Sequence, residues 1–330
     1  MEKSKRLFYI EILQVFGIVC VLLGHALRIY HENGWYFHKA QMFLPFDIVD
    51  KFIFSFHMPL FVFLSGYLFY LNKDKIESAW YYILKRVKRL LVPFYFAGFL
   101  YVLPMVCFIN PLDKSVGFYY SSFLTLDYTW HLWFLFSLFV ITLFFVLYYF
   151  KFNKLNKYVL LAFLIGINLF AVTGPSSCLA RIPKFAIFFY LGCLFVEHRD
   201  FIENQLAKFL WLILLLFVGA EVGLYQFYNN SLVALVCAVL GIVIFYLVAL
   251  KLADKMKAGN KVISFLSMNL LTLYIIHEPI MALVLKYFDW GKESVPIIVS
   301  SVMFVVALIV CVGLIWAKES VKNLCLMLKK

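Results

Sequence analysis

Four of the chain's seven histidines, His25, His57, His131 and His277, stand at or inside long apolar runs. An unperturbed imidazole titrates near pH 6.5, so it can take or give a proton at neutral pH. Glu278 follows His277 directly. Histidines beside a carboxylate suit a general base or a proton relay. For any one of them, a histidine satisfied by its neighbours is the plain alternative. A histidine metal site is another, but no HExxH or HxxxH pair occurs, and we expect no metal.

A second set lies on the first apolar run. Glu11, Gln14, His25 and Arg28 are spaced by three, eleven and three residues. At 100° per residue, Gln14 and His25 differ by about 20° around a helix and lie about 16 Å apart along it. The four residues therefore share one stripe. Ionisable residues within a span face a bundle interior or a wet cavity. Interhelical hydrogen bonding is the alternative use of such a line. A third set is the basic cluster Lys85, Arg86, Lys88 and Arg89, four residues before Pro93. It reads either as a positively charged membrane anchor or as a clamp for phosphate oxygens, which arginine holds bidentately.

The elements that carry these residues follow from composition. The chain has 330 residues, 65% hydrophobic and 15% charged, with 38 Phe and 21 Tyr. Soluble domains are roughly 45–50% apolar, so this chain is a membrane protein. The expected fold is all-α, a polytopic helix bundle in one membrane domain over residues 1–330. Spans are predicted at 8–29, 52–71, 93–110, 132–150, 158–173, 183–197, 209–228, 232–250, 264–287 and 296–316. The fifth and sixth are short, with a polar junction. Alternating spans bring His25, His57, His131 and His277 to a similar depth.

Charge placement orients the bundle. With a cytoplasmic N-terminus, 22 of the 30 Lys and Arg residues fall on the inner side. That is the positive-inside pattern, and it puts both termini in the cytoplasm. The net charge of +12 thus reflects topology, and nucleic acid is not an expected partner. The seven cysteines are scattered without a CxxC pair, so neither a disulfide framework nor a zinc site is expected. The first run contains Glu11 and lacks a small-residue cleavage site, so it reads as a retained span rather than a signal peptide.

Five segments together resemble the membrane-bound acyltransferase family 3, whose members acylate sugars of cell-surface polysaccharides and related acceptors. They are YIEILQVFGIVCVLLGH (9–25), FHMPLFVFLSGYLF (56–69), KRVKRLLVPFY (85–95), HLWFL (131–135) and LYIIHEPI (273–280). One position departs. Where the family carries arginine eleven residues before the first-helix histidine, this chain has Gln14, which keeps hydrogen bonding and loses the charge.

The resemblance implies a bacterial inner-membrane enzyme that takes an acyl group from cytoplasmic acyl-CoA. Acetyl, from acetyl-CoA, is the family's commonest choice. The acceptor would be a hydroxyl of a cell-surface or lipid-linked glycan, and no bound cofactor is implied. His25 would be the catalytic base or a transient acyl carrier. Arg86 and Arg89 would hold the donor's phosphates, with Glu11 and Gln14 on the stripe leading to His25. His57, His277 and Glu278 would orient His25 or the acceptor. Ser65 and Gly66 would admit the donor's arm, or else pack helices. Trp133 would stack on a sugar, or else anchor at the interface. The other functional class open to a polar path through a bundle is a transporter or flippase of a glycan or lipid-linked intermediate. The hydropathy shows no inverted halves to support it.

Overall fold

A computed structural model of the chain describes residues 2–35, 40–151, 155–171, 178–226, 230–256, 260–287 and 295–327, with side chains for those between 8 and 320. The described residues are helical almost throughout. In chain order the helices are α1 (Glu2–Leu27), α2 (Leu44–Leu71), α3 (Ala79–Arg86), α4 (Val92–Ala97), α5 (Leu103–Ile109), α6 (Val116–Leu124), α7 (Trp133–Lys151) and α8 (Lys157–Phe170). There follow α9 (Cys178–Glu197), α10 (Arg199–Asn204), α11 (Leu210–Gln226), α12 (Ser231–Lys255), α13 (Lys261–Met268), α14 (Leu270–Tyr287) and α15 (Pro296–Met327).

Among the described residues, nine helical segments are long and apolar enough to cross a membrane. The tenth expected span corresponds to α8, a shorter apolar helix of 14 residues. Several boundaries differ from the sequence reading: Arg199–Gln226 starts ten residues before the predicted 209 and Leu270–Tyr287 six residues after 264, and two further shifts bear on the site. The second span begins at Leu44, eight residues earlier than predicted, and so takes in Asp47, Asp50 and Lys51. The third begins at Ala79, so the basic cluster rides on a helix instead of preceding one.

That third span is continuous but not uniform. Two π-turns, Val87–Leu91 and Gly98–Val102, join α3, α4 and α5. Each ends two residues before a proline, Pro93 and Pro104. Proline has no N–H to donate, and its ring presses on the carbonyl four residues back. Slipping the ladder to the wider i→i+5 register relieves that crowding, so each π-turn has a local cause in the sequence.

The residues form two compact units interleaved along the sequence. One comprises 1–54, 108–113 and 253–330, the other 55–107 and 114–252. In the first unit α1 packs against α13, α14 and α15. In the second, α9 packs against α7 and α8. There α2 and α9 touch backbone to backbone. A Cβ on Gly66 would lie 1.9 Å from the Phe189 carbonyl oxygen, and one on Gly192 would lie 2.2 Å from that of Phe63. Small residues that allow such contact are a principal means of joining helices in lipid, where apolar burial supplies little drive.

Candidate active site

In the first unit, α1 ends at Leu27 and carries His25 in its last turn. α14 carries His277 and Glu278 immediately before Pro279. The packing of α1 on α14 brings the three together. His25 Nδ1 lies 3.9 Å from Glu278 Oε1, within ion-pair range and longer than a hydrogen bond. The rings of His25 and His277 are 5.2 Å apart, centre to centre, at 64°. Trp35 and Phe54 complete the surround, with ring centres 5.8 and 6.2 Å from that of His25.

Exposure distinguishes the members. Glu278 and His277 are fully buried, whereas the His25 side chain keeps 16% of its surface. Of the three, His25 alone keeps open surface. His277 Nδ1 lies 2.7 Å from the Tyr274 carbonyl and 3.1 Å from that of Leu273. A carbonyl only accepts, so Nδ1 carries the proton and fixes the tautomer of the neutral ring. The Glu278 carboxyl thus stands beside the one partly open imidazole of the three residues.

The other stripe residues separate by role. Glu11 Oε2 accepts a 2.7 Å hydrogen bond from Ser264 Oγ, tying α1 to α13. Gln14 is half-buried farther along α1. Arg28 reaches Asp50 Oδ2 at 2.7 Å and lies 4.4 Å from the centre of the Phe54 ring. It is the edge of a buried ionic cluster that the sequence reading missed. Lys51 pairs with Asp47 at 3.0 Å and Glu32 at 3.2 Å. His31, fully buried, has Nε2 3.6 Å from Asp47 and 3.8 Å from Asp50.

Its Nδ1 accepts from the Asn33 N–H, so Nε2 bears the proton facing the carboxylates. Burial, and then the charge of Arg28, push the His31 imidazole down to about 4. Arg28 and Lys51 already answer the two carboxylates, so a third cation gains little from them. The signal for this cluster was present in PFDIVDK at 45–51. Pro45 in the first turn followed by an acidic i, i+3 pair marks a helix start.

The remaining site candidates belong to the second unit. His57 and His131 are buried there. Ser65 Oγ donates to the Phe61 carbonyl at 2.9 Å, a bond back onto its own helix. The space beside Gly66 is filled by the backbone of Phe189. Arg86 bonds the Tyr82 hydroxyl and lies 4.7 Å from the centre of that ring, while Arg89 is exposed. Arg86 flanks the first π-turn and Arg89 lies within it. Trp133 keeps only 9% of its surface, with the Arg181 guanidinium 4.2 Å and the Phe185 ring 5.3 Å from its own centre.

Among the described residues, no group of three or more His, Cys, Asp or Glu side chains is placed to hold a metal ion. The described cysteines are unpaired by disulfides. The first unit thus offers a histidine suited to proton transfer, His25, and the second, taken by itself, offers cationic groups on α3 and its π-turn. No curated protein and no solved structure matches the chain. A family model described as an acyltransferase domain matches residues 7–316. With nine apolar helices among the described residues able to span a bilayer and a match over nearly its whole length, this chain belongs to acyltransferase family 3 and is a membrane acyltransferase.

Proposed function

We propose that the protein transfers an acyl group, acetyl in the first instance, from acyl-CoA to a hydroxyl of a cell-surface or lipid-linked glycan. The observation that carries this reading is the partly open His25 beside the fully buried Glu278 and His277. Acyl transfer to an alcohol needs a base that the hydroxyl can reach, and the open surface of His25 supports giving it that role.

In the proposed reaction the acceptor hydroxyl gives its proton to His25 as its oxygen bonds to the thioester carbonyl carbon. The imidazolium so formed is steadied by the Glu278 carboxylate. When the carbon–sulfur bond breaks, the thiolate of CoA takes that proton, and His25 returns to its neutral form. Arg86 and Arg89 are assigned to the phosphates of the donor, on the chemistry of the guanidinium fork and their place at a π-turn. Gln14 offers hydrogen bonds on the His25 stripe, and Glu11 holds that helix in place through Ser264. His57 and Ser65 are assigned to the donor's arm, and Trp133 to holding Arg181. We place the protein in a bacterial inner membrane with both termini cytoplasmic, on the distribution of basic residues.

The test is His25→Ala. The variant is expected to insert at the parent level and to lose acylation by about 10²–10⁴-fold. Labelled acetyl-CoA consumption and mass spectrometry of the cell's glycans give the readout. Parent-level acylation in that variant removes His25 from the role of base.

A further inference from the structure

Besides Glu278 and His277, the rings of Trp35 and Phe54 bound the imidazole of His25. An imidazole turns about its side-chain bonds unless neighbours hold it, and a reacting group works best in one fixed geometry. Phe54 stands edge-on to His25, at 68° and 6.2 Å between centres. Whatever fixes Phe54 therefore bears on how His25 is aimed. At one edge the Phe54 ring meets α1 closely, since a Cβ on Gly24 would lie 3.0 Å from Phe54 Cε2. Over its face lies the Arg28 guanidinium, 4.4 Å from the centre.

A held arginine loses rotamer freedom, and one cation–π contact at a partly open site does not offset that loss. The ring alone would not keep Arg28 in place. Asp50 does so: the carboxylate is fully buried, and its Oδ2 accepts from Nη1 at 2.7 Å, a charge-assisted bond. Asp50 and Phe54 are four residues apart, on one face of α2. His25 and Arg28 are three apart, where α1 passes into the short turn Arg28–Tyr30. The ion pair and the two rings thus form one bridge between these helices. His31 Nε2, 3.8 Å from the same carboxylate oxygen, belongs to the turn that leads to the other ring. The His31 carbonyl accepts from the Gly34 N–H at 2.8 Å, and Gly34, at φ 68°, leads the chain to Trp35, whose ring centre is 5.8 Å from that of His25. Burying carboxylates costs desolvation that apolar packing of the same volume does not, and what such groups can supply is a defined geometry.

We infer that Asp50 is a positioning residue for acyl transfer: by holding Arg28 over Phe54, it fixes the orientation in which the His25 ring meets the acceptor. The inference rests on the reading of His25 as the base. It gives the buried ionic cluster a use beyond joining α1 to α2. Asp50 touches no reacting atom and acts only through Arg28 and Phe54.

Membrane vesicles from cells expressing the full chain, given labelled acetyl-CoA, report incorporation into their own glycans. Asp50→Asn should lower the maximal rate per inserted protein about tenfold, with KM for acetyl-CoA unchanged. Phe54→Leu should do the same, and the double variant should be no slower than the slower single one, because both changes act through one ring. Losses that multiply to about hundredfold, or a parent-level rate in Asp50→Asn, overturn the inference. Arg28→Lys keeps a charge opposite Asp50 and gives up the planar face over Phe54, so it carries the test if Asp50→Asn fails to insert. It should be slower by about threefold or more, and a parent-level rate there overturns the inference equally. Carbethoxylation of His25 by diethyl pyrocarbonate, read by peptide mass spectrometry, follows the ring without acyl transfer. Its rate should at least double in Asp50→Asn and in Arg28→Lys as Phe54 is released. An unchanged rate overturns the positioning and leaves the base role intact. Acylation that survives His25→Ala removes the base role and leaves the altered reactivity standing.

Discussion

Glu278 is the residue on which the candidate chemistry leans without meeting substrate. It is fully buried in an apolar helix, and its carboxylate faces His25 at 3.9 Å. At about 4 Å and an effective dielectric of about 20, a pair of full charges interacts by about 4 kcal/mol. If about half of that is realised as His25 becomes cationic in the transition state, its loss slows the reaction about thirtyfold. Glu278→Gln keeps the shape and removes the charge, so kcat should fall by about that factor with KM for both substrates unchanged. A KM change with constant kcat would instead make Glu278 part of a binding surface. This pair was legible in the sequence at the level of residue type, since HE at 277–278 stands out in an apolar run. What the sequence did not convey was rank. Which of four histidines keeps open surface depends on side-chain packing, and spacing along one helix carries no information about that.

Helices α2 and α9 show what the sequence conveys about an element and where it stops. The run of about 20 apolar residues in α2 marked it as a span, whereas α9 was expected only as the short span 183–197, because Arg181 and Lys184 lower the hydropathy of its first turns. Their crossing was not legible, because a glycine in a span reads the same whether it faces lipid or another backbone. The contacts at Gly66 and Gly192 are with backbone atoms of the facing helix, which cannot move aside as a side-chain tip can. An added methyl must push the helices apart, and overpacking of this kind costs about 1–3 kcal/mol or more. Gly66→Ala and Gly192→Ala should each lower the thermal midpoint of the detergent-solubilised protein. Gly219→Ala, with nothing within 4 Å of the added atom, should not. Equal midpoints in all three would show that the crossing is looser than its atoms indicate. The early start of α2 has a similar origin. Asp47, Asp50 and Lys51 lower the hydropathy of its first two turns, so apolarity alone trims the helix at the point where buried ion pairs take over.

At the scale of the whole chain, membrane topology turns on one short helix. The 14 residues of α8 span about 21 Å, against a hydrocarbon core of about 30 Å. Length alone would leave nine crossings and put the termini on opposite sides. Charge argues otherwise. If α8 crosses, 22 of the 30 Lys and Arg residues share the side of the N-terminus; if it does not, every later segment changes side and the division becomes 16 against 14. Inverting the second half of the chain erases a bias that otherwise holds from the first segment to the last, and basic residues are what orient the spans. A short span can be accommodated by local thinning of the bilayer or by neighbouring helices, at a fraction of a kcal/mol per ångström of mismatch. Packing of α9 on α8 supplies such a neighbour. We therefore expect α8 to cross and both termini to be cytoplasmic. Alkaline phosphatase, active only outside the cytoplasm, should be active when fused after Ser176 and inactive when fused after Lys154 or at Lys330. A fluorescent protein at Lys330 should glow. Phosphatase activity at Lys330 with none at Ser176 would mean that α8 turns back, and the inside placement of the C-terminus would be wrong.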